Sequence, residues 1–120
     1  MSDDQREVLA FLSRGEGVER IDTHVSAIFL KADRALKVKR AVALSYLDYS
    51  TLALRRRFCE AELTLGRRMA PKLYLGLRAI TRERDGSLAL DGAGEPVEWA
   101  VEMRRFDQET LFDRLAERVR

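Results

Sequence analysis

The spacing of apolar residues changes along the chain and divides it into helices and strands. Four apolar residues near the N-terminus recur at helical spacing: Val8, Leu9, Phe11 and Leu12. They predict a helix over residues 3–14, with a capping-box pattern at Ser2 and Gln5 and a stop at Gly15. From residue 18 apolar and polar residues alternate, which predicts three strands over residues 18–24, 26–31 and 34–42.

A long helix and a second group of strands follow. Asp48 or Ser50 is a suitable N-cap for a helix over residues 50–69, and Pro71 ends it. Alternation then predicts a strand over residues 73–82, a short strand at 88–90 and a strand at 97–103. A last helix begins near Asp107 and has four apolar positions: Leu111, Phe112, Leu115 and Val119.

This order of elements indicates the fold class. Antiparallel strands joined by short turns, with one long helix after the third strand, are typical of an α+β fold with five or six strands. The chain has 120 residues, of which 46% are hydrophobic and 35% charged. It is therefore long enough for one hydrophobic core and has the composition of a folded domain.

Charge and cysteine content exclude several classes of protein. The 22 basic and 20 acidic residues leave a net charge of +2 and are spread along the whole chain, which argues against a nucleic-acid or membrane surface. No apolar run is long enough to span a bilayer. Cys59 is the only cysteine, so no internal disulfide forms and a reducing, cytoplasmic compartment fits best.

The third predicted strand carries the most informative side chains. Ala35, Lys37 and Lys39 point to one face of that strand. A small residue two positions before a lysine suits a nucleotide site, because the small side chain leaves room for the base and the ammonium group reaches the phosphates. The alternative is that both lysines are solvated on an open face of the sheet.

The long helix offers a carboxylate partner for such a lysine. Glu60 and Glu62 lie about 200° apart around a helix, so only one of them faces the sheet. The alternative is that both are surface charges paired with arginines at helical spacing, which is worth only tenths of a kcal/mol.

Other constellations are weaker. The single histidine, His24, and the single cysteine, Cys59, lie too far apart in sequence to suggest a metal site. Cys59 has apolar neighbours on the helix, which favours a core position over a nucleophile. The arginines at 55–57 and 67–68 are interpreted as a solvated helix face rather than a nucleic-acid contact.

Several spaced segments together resemble a known family. In chain order they are residues 23–26, 37–40, 46–52, 59–63 and 70–76. They resemble the N-terminal part of bacterial proteins that join an aminoglycoside-phosphotransferase-like domain to a P-loop ATP-binding domain, and the resemblance covers nearly the whole chain. It implies the fold of protein kinases: a lobe of five antiparallel strands and one long helix, then a hinge and a larger helical lobe.

Carried onto this chain, the resemblance implies a site for ATP. The N-terminal lobe, or N-lobe, would occupy residues 1–107, and residues 108–120 would begin the helix after the hinge. Lys37 is then the phosphate-binding lysine, with Lys39 as the alternative, and Ala35 lies beside the base. Glu62 is the partner on the helix, with Glu60 as the alternative. The hinge follows the last strand, where backbone groups of Met103 and Arg105 would contact adenine.

Departures from the family pattern limit what the chain is expected to do. Residues 23–26 stand where kinases have a glycine-rich loop. The chain has no catalytic loop with a general-base Asp, and no later Asp that would hold Mg²⁺. We therefore expect an ATP-binding fragment that is inactive alone, whose partner is a second lobe or a P-loop ATPase domain in a longer parent protein.

A second hypothesis belongs to a different functional class. The chain is then a stand-alone binding or regulatory module that keeps the lobe's fold and forms a homodimer or docks a partner. Its contact surface would be the apolar face of the last helix, which the missing lobe would otherwise cover. A nucleic-acid binder is a third hypothesis, which the even spread of charge disfavours.

Overall fold

The computed structural model describes residues 3–105, and within them the chain forms two helices and eight strands. The predicted helix from Asp107 lies outside the described residues. The elements, in chain order, are α1 (Asp3–Ser13), β1 (Glu19–Asp22), β2 (Ser26–Lys31), β3 (Arg34–Lys39), β4 (Ala43–Leu44), β5 (Leu47–Asp48), α2 (Leu52–Met69), β6 (Tyr74–Arg82), β7 (Leu88–Leu90) and β8 (Glu95–Arg104).

Six of the strands form one antiparallel sheet in the order β1-β2-β3-β8-β6-β7, while β4 and β5 form a separate two-stranded ribbon. The predicted α+β class is confirmed. The implied count of five strands is wrong, because β7 adds a sixth strand at the edge beside β6. The last strand, β8, lies in the middle of the sheet between β3 and β6.

The start of α2 differs from the sequence-based prediction. Thr51, not Asp48 or Ser50, is the N-cap: its Oγ1 accepts a hydrogen bond from the backbone N–H of Leu54 at 3.1 Å. Asp48 instead accepts from the backbone N–H of Ser50 at 2.9 Å and so closes the turn after β5. The helix ends at Met69, two residues before Pro71.

Helices cover both faces of the sheet. Helix α1 packs on one face, where the core consists of Val8, Leu9, Leu12, Ala27, Phe29, Val38, Ile80 and Ala100. Helix α2 lies on the opposite face and packs against β8 and β6. Because strand side chains alternate between faces, the lysines of β3 point toward α2 while Val38 points toward α1.

A close approach at Gly66 lets α2 lie near the sheet. A Cβ atom at this position would come within 2.5 Å of the Tyr74 ring. Glycine is therefore required for the ring to pack beneath the last turns of the helix.

Candidate functional site

The side chains of Lys37 and Lys39 on β3 meet Glu62 on α2. The Oε1 atom of Glu62 accepts a hydrogen bond from Lys39 Nζ at 2.8 Å and another from Lys37 Nζ at 3.3 Å. Glu60 does not face the sheet and instead pairs with Arg56 at 2.9 Å on the exposed side of the helix. Of the two carboxylates considered, Glu62 is therefore the one that meets the lysines.

The two lysines differ in exposure. The Lys39 side chain is 5% exposed and the Lys37 side chain is 30% exposed. Lys39 Nζ also lies 5.0 Å from the centroid of the Tyr49 ring, a cation–π contact that favours its buried charge. Only Lys37 is open enough to contact a bound molecule, whereas Lys39 lies behind it in the interior.

Electrostatic interactions keep Glu62 and Lys39 ionised although both are largely buried. Burial by itself would raise the pKa of Glu62, but the two ammonium groups outweigh this effect and hold the pKa below its usual value. Burial would likewise lower the pKa of Lys39, and the Glu62 carboxylate raises it instead. Two ammonium groups therefore share one carboxylate, which leaves a surplus positive charge.

One acceptor of this cluster is unused. Glu62 Oε2 is buried and accepts no hydrogen bond from the described residues. Both lysines donate to the other oxygen, Oε1, so Glu62 contacts the lysine pair through one atom only. An anion placed beside the exposed side of Lys37 would balance the surplus charge without displacing Glu62.

The pairing of β2 with β3 determines which residues lie beside the two lysines. On β2, Ser26 lies opposite Lys39 and Leu30 lies opposite Ala35. Ser26 begins β2 directly after the Thr23–Ser26 turn, which a hydrogen bond from Thr23 N–H to the Ser26 carbonyl closes at 2.9 Å. Lys39 therefore lies beside this turn, and Lys37, opposite Ile28, lies between Lys39 and Ala35 on the same face of β3.

Ala35 does not line an open surface. It is 1% exposed, so the room that its small side chain was expected to leave for a base is closed to solvent. Lys37 is more exposed than Ala35, with 30% of its side chain open to solvent.

Met103 and Arg105 lie within or directly after β8. Met103 pairs with Ala35 on one side and Tyr74 on the other, so it lies inside the ladder rather than in a hinge. The backbone N–H of Arg105 donates to the Asp33 carbonyl at 2.6 Å, and its guanidinium pairs with Glu19 at 3.1 Å. The backbone N–H of Arg105, which was expected to contact adenine, is therefore already bonded within the chain.

A buried polar network was not predicted from the sequence. The Glu98 side chain is 1% exposed and accepts from Arg55 Nε at 3.0 and 3.1 Å, from Gln5 Nε2 at 3.0 Å and from the Trp99 N–H at 3.1 Å. Arg55 also donates to the Tyr49 carbonyl at 2.9 Å. These bonds join α1, the segment before α2, α2 itself and β8. The interpretation of residues 55–57 as a solvated helix face is therefore wrong for Arg55, which is 6% exposed because it turns toward Glu98.

Cys59 lies one turn before Glu62 and is fully buried, as predicted. Burial raises the pKa of its thiol to about 11, so the thiol is protonated at neutral pH and is a poor nucleophile.

Residues 3–105 contain neither a metal-binding cluster nor a membrane-spanning helix. Within that range no group of three or more His, Cys, Asp and Glu side chains is arranged to hold a metal ion. Neither described helix has the length and hydropathy needed to cross a membrane.

No protein-family model matches the chain. Uncharacterized proteins of Mycobacterium tuberculosis and Mycobacterium bovis are 33% identical to it over 85 residues, or 71% of the chain. The match covers only 15% of the length of these curated relatives, so the chain corresponds to a small part of each. No solved structure matches.

Proposed function

We propose that this chain is the nucleotide-binding lobe of a kinase-like small-molecule phosphotransferase and that Lys37 binds the phosphates of ATP. The observation that carries the proposal is the ion pair between a lysine on the third strand and Glu62 on the helix that follows it. Protein kinases use a lysine of the third strand and a glutamate of the next helix in the same way, because the pair holds the ammonium group toward the phosphates.

The charge of the cluster supports an anionic ligand. Two ammonium groups share one carboxylate oxygen, and the more exposed of them is Lys37. An ammonium group in a half-buried place makes strong charge-assisted hydrogen bonds to phosphate oxygens. The bound ATP would supply the γ-phosphoryl group for transfer.

The three side chains then have separate roles. Lys37 contacts phosphate, and Glu62 orients Lys37. Lys39, which is buried, holds Glu62 from the interior side at 2.8 Å. Because Ala35 is closed to solvent, we expect the phosphates to contribute more to binding by this lobe than the adenine base does.

Titration calorimetry of the chain with Mg-ATP and with pyrophosphate tests the proposal. Loss of one charge-assisted contact should weaken binding of either ligand about 10- to 100-fold in the variant Lys37→Met. Lys72→Met is the matched control, since Lys72 is exposed, and it should bind as the wild type does. Equal affinity of the two variants would contradict the proposal, as would the absence of wild-type binding at millimolar ligand.

Catalysis is assigned to a longer parent protein. The resemblance puts the general base and the Mg²⁺-binding residues in a following lobe, and the relatives that match this chain are several times longer than it. We therefore expect no phosphate transfer by the 120-residue chain. We also expect a cytoplasmic location, because a reducing compartment suits the free Cys59. Sustained turnover of ATP by the purified chain would contradict this part.

A second candidate function is self-association or partner docking through α2. Leu65 and Met69 lie one turn apart on this helix and are 58% and 66% exposed, which is unusual for large apolar side chains. Light scattering at rising concentration tests it. A dimer that Leu65→Lys dissociates would support a binding module, and a monomer at all concentrations would contradict it.

A further inference from the structure

The polar network around Glu98 is connected to the Lys37 site through one face of α2. Arg55, Cys59 and Glu62 are four and then three residues apart, so they lie along the same side of the helix. All three side chains face the sheet: Arg55 is 6% exposed, Cys59 is 0% exposed and Glu62 meets the lysines of β3. Arg55 and Glu62 are therefore two attachment points of one rigid helix, about 10 Å apart along its axis.

The Arg55 attachment has demanding geometry. Its Nε donates to both oxygens of Glu98, at 3.0 and 3.1 Å, and its Nη1 donates to the Tyr49 carbonyl at 2.9 Å. A planar guanidinium fixes orientation as well as distance, which an ammonium group does not. The attachment therefore fixes the rotation of α2 as well as its distance from β8.

Glu98 is fixed from the other face of the sheet. Gln5 of α1 donates to Glu98 Oε2 at 3.0 Å and to the Lys39 carbonyl at 3.0 Å. Its Oε1 accepts from the Ala41 N–H at 2.8 Å. Gln5 thus joins Glu98 to the end of β3, the strand that carries both lysines.

We propose that Gln5, Arg55 and Glu98 form a positioning clamp that sets the place of Glu62 relative to Lys37. We call these three residues the Glu98 clamp. Glu98 makes no contact with Lys37 in this arrangement, and its effect on the site passes through the rotation of α2. The predicted effect on ligand affinity rests on the proposed function, whereas the predicted effect on Lys37 itself does not.

The reaction rate of Lys37 with an amine-directed reagent measures the clamp without any ligand. Brief labelling of the folded chain at one pH, followed by mass spectrometry, gives the rate at Lys37 relative to exposed Lys72 in the same molecule. In Glu98→Gln, α2 should turn and Glu62 should move away from Lys37. The labelling ratio should then rise about fivefold or more, which is the usual scale of coupling within one hydrogen-bonded network. Arg55→Lys should give a similar rise, because it retains the charge but loses the planar donor.

A stability-matched variant separates positioning from general loosening. Val8→Ala opens a cavity in the α1 core, at a fully buried residue outside the clamp. It should leave the labelling ratio at the wild-type value. A rise in Val8→Ala equal to that in Glu98→Gln would overturn the clamp.

Substitute variants and a second measurement guard against the failure of Glu98→Gln to fold. Where Glu98→Gln does not fold, Arg55→Lys and the milder Gln5→Ala take its place, and an unchanged ratio in the folded variants overturns the proposal. Pyrophosphate titration of the same variants adds the second readout, with an expected loss of about fivefold in affinity. If the wild type binds no pyrophosphate while the labelling ratio still rises, the proposed function fails and the clamp stands.

Discussion

Replacing Glu62 with Gln removes the only carboxylate seen to pair with Lys37 and Lys39 among the described residues. The Lys39 side chain is 5% exposed and would remain in the interior beside the Tyr49 ring, without an anion. The Lys37 side chain is 30% exposed and would regain water. The loss of stability in Glu62→Gln should therefore come mainly from Lys39, which stays buried without its partner.

The size of the effect follows from these exposures. Removing one partner of a buried ion pair costs about 3–5 kcal/mol, and removing one partner of an exposed pair costs about 0–1 kcal/mol. Glu62 is 21% exposed, which puts the expected loss in the free energy of unfolding at about 2–4 kcal/mol. Most of that loss should come from Lys39.

A double-mutant cycle measured by urea unfolding divides the loss between the two lysines. The variants are Glu62→Gln, Lys39→Met, Lys37→Met and the two pairs. We expect a coupling of about 1.5–3 kcal/mol between Glu62 and Lys39, and below about 1 kcal/mol between Glu62 and Lys37. A Lys37 coupling equal to or larger than the Lys39 coupling would refute the separate roles assigned to the two lysines.

Three further predictions concern the same helix. The pKa of Glu62 is lower in the folded state than its usual value of 4.5, so its contribution to stability is present above that pH and is lost as pH falls. The stability difference between wild type and Glu62→Gln, measured by urea unfolding, should shrink as the pH falls below 4.5, and a constant difference would contradict the shift. Gly66→Ala should destabilise by about 1–3 kcal/mol, because the new methyl group meets the Tyr74 ring; a more stable variant would show that the ring does not pack there. Cys59, with a thiol pKa of about 11, should resist iodoacetamide at neutral pH until urea unfolds the chain, and rapid alkylation of the native chain would contradict its burial.

The strands were predictable because their local pattern is clear. Alternation of apolar and polar residues gave β2 and β7 with their observed bounds, and helical spacing gave α1 to within one residue. The ribbon of β4 and β5 was missed, since two-residue strands carry no period. The cap of α2 was assigned to the wrong residue because Asp48, Ser50 and Thr51 are all competent caps, and only the backbone geometry at Thr51 selects among them.

The candidate site was predictable in part. The strand period puts Lys37 and Lys39 on one face, and the helix period lets only one of Glu60 and Glu62 face the sheet. The choice of Glu62 came from the family resemblance, and the structure brings Glu62 together with both lysines. The strand period does not determine which lysine is buried, because Lys37 and Lys39 point to the same face. That choice depends on how deeply Tyr49 and α2 cover the end of β3.

The Glu98 network shows a limit of the alternation pattern. Val97, Trp99 and Val101 alternate with polar or small residues, which predicts a strand with one buried face. Helix α1 covers the other face as well, so Glu98 and Ala100 are also buried. Burial on both faces depends on where a distant helix packs, and no short-range pattern contains that information.

The order of strands also affects how the chain behaves at high concentration. One edge is β1, which is exposed at all four residues, and three of them carry charges: Glu19, Arg20 and Asp22. The opposite edge is β7, which has only three residues. Charged or very short edge strands are poor templates for further strand pairing. Polymers that grow by pairing of edge strands should therefore be disfavoured. Any self-association of the chain is expected to use side chains of α2 rather than free backbone groups.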